Sequence, residues 1–571
     1  MLLDFPVEIQ VRIFTKLHYV DLLMLESSCR ALRQCVLTNI WETDCIEMVW
    51  DDRYLSTERN YHPGNWQTLD KRMMKVMLEK CGRSIRIFKL PTEHKLLDID
   101  GAGMISLLCL MPFVKELNLS GIAFNKTSAS LLFSSIGKLF GSSLEKLDIS
   151  ESLSEIDCMR RPIVTRECFH HFLESCHLLT DFRMNNCRDY VGFDLTTFSR
   201  LPTGINTLHL ANVEIPSAGL RQIADCMGAT LVSFSMWIHD KTHEGDVKYL
   251  LERFKRLQHL NIGEFGSDQW MINRLNFPLN IRSSLRSLQI LAPESNEIDC
   301  MTRPIVTREC FHHFLESCHS LKDFRMNNCR DYVGFDLTTF SRFPTGINTL
   351  HLANVEIPSA GLRQIADCMG ATLVSFSMSI HGKTHEGDVK YLLERFKRLQ
   401  HLNIGEFGSD QWMINRLNFP LDIRSSLRSL QILAPESNEL TRQLFQGPTF
   451  TNLDSLEYCS RDENLVTQTL RPLTFYGGVF PKLTKLAIHD SRRLDNEALE
   501  SIAIEWPQLE AVMINYCQRV TTAGMKCFLE RSFIQEYPPV SYSCKASDDG
   551  CLLCNRYLAY IFGSKYIYLP S

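Results

Sequence analysis

The chain has 571 residues, 44% apolar and 22% charged, with 61 Lys and Arg against 66 Asp and Glu for a formal charge of −5 at pH 7. That composition is ordinary for a soluble globular protein, and without a polybasic run it argues against a nucleic-acid binder. No apolar run reaches the roughly 18 to 20 residues needed to cross a bilayer; Ser106–Val114 and Tyr557–Phe562 are short and interrupted, so no membrane segment is expected.

The N-terminus, Met-Leu-Leu-Asp-Phe-Pro, lacks the basic start and long apolar stretch of a signal peptide. The chain is therefore expected in the cytoplasm or nucleus, where its 21 cysteines stay reduced. Residues 1–45 read as three short helices. Pro6 suits a first helical turn and Glu8 its positive end, and Ile9, Ile13, Phe14 and Leu17 make an apolar stripe. A second helix opens at Asp21 with Leu22, Leu23 and Leu25, and a third element carries Cys29, Leu32, Val36 and Trp41. So small a unit buries little apolar surface and needs a partner surface or the next domain, which marks it as a docking module.

The residues Phe5-Pro6-x-Glu8-Ile9, Ile13-Phe14-x-x-Leu17, Asp21-Leu22-Leu23-x-Leu25, Cys29-Arg30-x-Leu32 and Trp41 resemble an F-box, with Phe5 where the motif usually has leucine. The resemblance implies a docking surface of Pro6, Ile9, Ile13, Leu17, Leu22 and Leu25 for the Skp-family adaptor, which joins F-box proteins to a cullin and its RING subunit. The alternative is a three-helix cap that covers the first repeat. Residues 46–80 mix Trp50, Tyr54, Tyr61 and Trp66 with Asp51, Asp52, Glu58 and Asp70; this reads as a packed linker, with Leu69, Met73, Val76 and Met77 opening a helix.

From residue 81 to 535 one spacing recurs. In Cys176-His-Leu-Leu-Thr-Asp-Phe-Arg-Met-Asn-Asn-Cys187, Phe182 and Met184 alternate with Asp181, Arg183 and Asn185, the period-2 pattern of a half-buried strand. Leu220, Ile223, Ala224 and Met227 then fall at helical spacing, with Ser217 placed as an N-cap. The first apolar position of L-x2-L-x-L is counted at Ile85, Val114, Leu144, Leu179, Ile205, Leu231, Leu257, Leu285, Leu321, Ile347, Leu373, Leu399, Leu427, Leu453, Leu483 and Leu509, most often 26 residues apart. A strand-turn-helix unit cannot bury its apolar edge alone, so stacking on its own copies supplies the core. Cys176, Cys187, Cys318, Cys329 and Cys517 fill a repeat position where a small buried side chain fits. The spacing and the cysteine-ended form resemble the cysteine-containing repeats of F-box leucine-rich proteins.

Residues 156–298 recur at 298–440, offset by 142, with few changes: Arg160/Thr302, Leu178/Ser320, Thr180/Lys322, Leu201/Phe343, Trp237/Ser379, Asp240/Gly382 and Asn280/Asp422. Trp237 is expected on the open side of its strand, where aromatics anchor interfaces. Its exchange for Ser379 reads either as divergence of a binding face or as drift. Val520, Met525, Phe528 and Leu529 read as a last helix and 536–571 as a cap or tail. Cys544, Cys551 and Cys554 there fall short of the four ligands zinc takes, so no metal is expected.

Open-face positions include Glu116, Asp148, Asp181, Arg183, His209, His259, Asp323, Arg325, His351, His401, Glu457 and His489. Strands lie about 4.8 Å apart, and His209 and His259 are two repeats apart, too far to share a metal or a proton. No Gly-rich phosphate loop or H-E-x2-H motif is present, so neither an enzyme nor a cofactor is expected. The expected architecture is α/β: a small helical F-box, then a right-handed leucine-rich-repeat solenoid, a horseshoe with parallel strands concave and helices convex. By resemblance its function is substrate recognition in a Skp–cullin–F-box E3 ubiquitin ligase. A protein substrate would be held by candidates Asp181, Arg183, His209, Trp237, His259, Asp323, Arg325, His351 and His401. The alternative is a non-catalytic interaction scaffold that never meets a ligase.

Overall fold

The computed structural model describes residues 6–14, 19–36, 46–49, 67–68, 71–90, 97–98, 101–120, 122–123, 126–150, 165–185, 199–211, 213, 215–239, 242–265, 277–291, 315–327, 342–353, 355, 357, 359–380, 385–406, 419–434, 438–460, 473–509, 511–515, 517, 519–521, 524 and 527–528. Leu17, Trp41, the aromatics Trp50, Tyr54, Tyr61 and Trp66, and the tail cysteines Cys544, Cys551 and Cys554 lie outside them. The chain forms two compact units, Met1–Leu257 and Gln258–Ser571.

The first unit opens with helices α1 (Val7–Phe14), α2 (Tyr19–Ser28) and α3 (Arg30–Val36). Pro6 starts α1, its carbonyl accepting the N–H groups of Ile9 and Gln10, a place where its own missing N–H costs nothing. Phe14, Leu22 and Val36 are buried, and the Cys35 thiol donates to buried Gln10 of α1 at 3.1 Å. Helix α4 (Lys71–Cys81) buries Met74, Met77, Leu78 and Cys81, an i, i+3, i+4, i+7 face. That face is turned from the stripe expected in the sequence, and Val76 is left exposed.

A parallel ladder follows through β1 (Ile46–Val49), β3 (Ile85–Lys89), β5 (Glu116–Asn118), β7 (Lys146–Asp148), β8 (Asp181–Arg183), β9 (Thr207–Leu210) and β10 (Ser233–His239). A second small sheet joins β2 (Gln67–Thr68), β4 (Leu97–Asp98) and β6 (Ile122–Ala123). Register aligns Phe88, Leu117, Leu147, Phe182, Leu208 and Phe234 in one buried row. Each such side chain contributes about 2 kcal/mol by leaving water.

The second unit continues the pattern through β11 (His259–Phe265), β12 (Ser287–Leu291), β13 (Asp323–Asn327), β14 (Thr349–Ala353), β15 (Ser375–Ile380), β16 (His401–Glu406), β17 (Ser429–Ala434), β18 (Ser455–Ser460), β19 (Lys485–His489) and β20 (Ala511–Asn515), each parallel to the next. All sixteen first apolar positions counted in the sequence are buried across the two units. The fold is an α/β leucine-rich-repeat solenoid.

Helices return the chain between strands. Ser217–Met227 buries Leu220, Ile223, Ala224 and Met227, as the period requires. Ser217, however, is not its cap: Pro216 holds that position, and the Ser217 hydroxyl accepts the His243 N–H at 3.1 Å, tying one repeat to the next. Ser359 does the same for His385 at 3.2 Å. Beyond the duplication aromatic rings fill the core, with Phe445 against Phe475 (ring centroids 5.0 Å apart), Phe450 on Phe480 (5.4 Å) and Phe475 against Trp506 (5.2 Å).

Candidate functional site

Two surfaces carry candidate residues. The first is the open side of the sheet. In the first unit, register sets Glu116, Lys146, Asp181, Thr207 and Ser233 in one row, and Lys89, Asn118, Asp148, Arg183, His209 and Ser235 in the next. These charges are largely satisfied by one another. Lys146 meets Glu116 at 2.6 Å, Lys89 pairs with Glu47, and Arg183 donates through Nε and Nη2 to both carboxylate oxygens of Asp181 at 2.9 Å. Those partners raise the pKa of both Lys146 and Arg183. Burial pushes the Asp148 carboxyl above its usual range, opposed by the N–H and hydroxyl of Ser150; this carboxylate closes a turn. His209 Nε2 lies 2.8 Å from the Ser233 hydroxyl.

Trp237 corrects an expectation. It follows the open-side positions Ser233 and Ser235, yet it is 7% exposed and Ser235 only 1%. A ring of this size gains more by covering apolar surface than by standing in water, so little of it is left for a partner.

In the second unit one row reads His259, Ser287, Asp323, Thr349, Ser375, His401, Ser429, Ser455 and Lys485, and the next reads Asn261, Gln289, Arg325, His351, Ser377, Asn403, Gln431 and Glu457. Nine strands thus present hydroxyl, amide and imidazole groups with few charges. Arg325 Nε donates to Asp323 at 3.0 Å, and His351 Nε2 lies 3.1 Å from the Ser375 hydroxyl. Burial, with Arg325 nearby, lowers the His351 pKa to about 4, so its imidazole is neutral at physiological pH. His259 and His401 are exposed at the first position of their strands. Among the described residues no group of three His, Cys, Asp or Glu could hold a metal.

The second surface is the N-terminal helix set. Pro6 and Ile9 are exposed, Ile9 at 39%, and Ile13 and Leu25 are half-buried. Leu22 is a correction: at 2% exposure its side chain is spent in the unit's own core and is not available for docking. The Leu22-Leu23-x-Leu25 run places leucines around α2, and one of them must face inward. The sequence also left Glu26 unremarked. It is buried and paired with Lys80 of α4, with Arg33 at 3.7 Å; an acidic residue closing an apolar helix was the available signal.

Buried thiols are inert here. Burial lifts the pKa of Cys81, Cys176 and Cys318 to about 12, far from the thiolate that reacts or binds metal. No helix among the described residues is long and apolar enough to cross a membrane.

No family model matches the chain, and no curated protein matches it. Among solved structures it is similar to the yeast Rad7 and Elc1 complex, with 12% identity, TM-score 0.38, and coverage of 83% of this chain and 93% of that one. It is also similar to an internalin (inlF) of Listeria monocytogenes, with 12% identity, TM-score 0.24, and coverage of 84% and 94%. The third is the TLR13–ssRNA13 complex, with 13% identity, TM-score 0.28, and coverage of 79% and 61%. Likenesses this distant say nothing of partner or activity.

Proposed function

We propose that this protein is the substrate-recognition subunit of a Skp–cullin–F-box E3 ubiquitin ligase. The observation that carries the reading is the exposed apolar edge of α1: Pro6 and Ile9 face solvent beside half-buried Ile13, in a segment whose residues resemble an F-box. An apolar edge of this kind is what a partner helix surface would cover. The Skp-family adaptor would sit there and bring the cullin and RING subunits. A protein substrate would lie on the open sheet face, against Asp181, Arg183 and His209 in one unit and Asp323, Arg325, His351 and His401 in the other. The chain would catalyse nothing itself; holding a target near a ubiquitin-charged enzyme is its contribution to rate.

A second reading has its own observation. Glu26 of α2 is buried in an ion pair with Lys80 of α4, so the three helices also serve as a cap on the repeats, and a scaffold with no ligase role would need nothing more. Ile9→Asp with Ile13→Asp separates the two. The ligase reading expects adaptor binding to weaken by about 30-fold or more, the loss of one interface anchor of about 2 kcal/mol, with the repeats still folded by circular dichroism. Unchanged adaptor affinity, or no affinity in the parent chain, supports the cap.

A further inference from the structure

The second unit carries a recess of about 340 Å³ on the turn side of the strands, walled by Lys397, Arg398, Gln400, Ser425, Arg428 and Asn452. The repeats bring its cations together: the Arg428 N–H donates to the Gln400 carbonyl at 2.8 Å, setting those two residues side by side just ahead of neighbouring strands β17 and β16. Arg398 and Arg428 are both exposed, and neither pairs with a carboxylate among the described residues. Lys397 meets only Asp422, an exposed side chain, at 3.4 Å. The far wall is fixed. Asn452 Nδ2 donates to the Ser425 carbonyl at 2.7 Å, and Lys482 Nζ donates to Asn452 Oδ1 at 2.7 Å, adding a fourth cation at the rim.

We propose that this recess binds a phosphate group, as inorganic phosphate or a phosphomonoester. Like charges held close in adjacent turns repel, and an anion between them turns that cost into charge-assisted hydrogen bonds. Guanidinium forks match tetrahedral oxyanions with two parallel N–H donors each. The first copy of the duplicated segment has the same cations, Lys255, Arg256 and Arg286, but Ser320 and Gly346 stand in the repeat positions of Asn452 and Lys482. The complete wall therefore belongs to the end of the second copy, where it meets the repeats that follow. The inference does not depend on the ligase reading.

The test titrates inorganic phosphate against the full chain at constant ionic strength, by calorimetry and by thermal midpoint. The parent chain is expected to show saturable binding. Arg398→Glu with Arg428→Glu should weaken it at least tenfold, Asn452→Ser, which copies the first segment, should weaken it about threefold, and Arg256→Glu with Arg286→Glu should leave it within twofold. A phosphoserine peptide and its unphosphorylated form run in parallel: tighter binding than free phosphate assigns the source to a phosphorylated side chain, and equal or weaker binding assigns it to free phosphate. No saturable binding in either arm, or equal losses in the two double variants, overturns the proposal.

Discussion

Arg282 and Arg424 are the same residue in two copies of one segment, 142 positions apart, and they live in different surroundings. Arg282 is half-buried and reaches the Ser317 hydroxyl at 2.9 Å. Arg424 is 1% exposed. Its guanidinium donates to the carbonyls of Phe419, Gln443 and Pro448 and lies 4.4 Å from the Phe450 ring centroid, and burial lowers its pKa to about 10. The helix around each differs only at Asn280/Asp422. What differs is the next unit: 36 residues separate Leu285 from Leu321, whereas 26 separate Leu427 from Leu453, and the shorter step brings Gln443, Pro448 and Phe450 over the arginine. In a stacked repeat, half of a residue's environment is written in its neighbour.

The largest expected effect breaks the two copies apart. Arg424→Ala orphans three carbonyl acceptors and empties an aromatic-lined site, and should cost about 3 to 5 kcal/mol in urea unfolding. Arg282→Ala should cost about 1 kcal/mol or less. Equal losses would mean that the following repeat does not set the role. Trp237→Ser makes the first copy match the second at its buried aromatic, and should cost about 3 kcal/mol; a loss below about 0.5 kcal/mol would show the ring to be surface decoration.

The smallest effect is a titration. The folded pKa of His351, about 4, lies below its ordinary 6.5, so the unfolded chain takes up the proton first. The stability this group contributes is complete above about pH 6.5 and is lost as pH falls toward 4, by about 1 to 3 kcal/mol. His351→Gln should flatten that part of the profile. A parent and variant with the same slope between pH 6.5 and 4 would contradict it.

The contrast also explains what the sequence could and could not disclose. Features carried within one repeat were legible: the buried first position of each repeat, the face of Leu220, Ile223, Ala224 and Met227, and the alternation that sets Asp181 and Arg183 on one side of their strand and Phe182 on the other all follow from local period. Features that need the neighbouring repeat were not. Ser217 looked like a helix cap and instead ties down the His243 N–H of the next repeat. Trp237 alternated onto the open side and yet was covered. The cage around Arg424 needed the register of three segments at once. At the N-terminus the same limit applied to Leu22, whose inward turn depends on how α1, α2 and α3 pack.

The most direct test of the receptor role is to mix the purified full chain with a Skp-family adaptor and a cullin and follow them by size-exclusion chromatography. The account predicts a stable complex in which all three co-elute, built on the exposed edge of Pro6 and Ile9. Separate elution, with the chain shown folded by circular dichroism, would contradict it and leave the N-terminal helices as a cap.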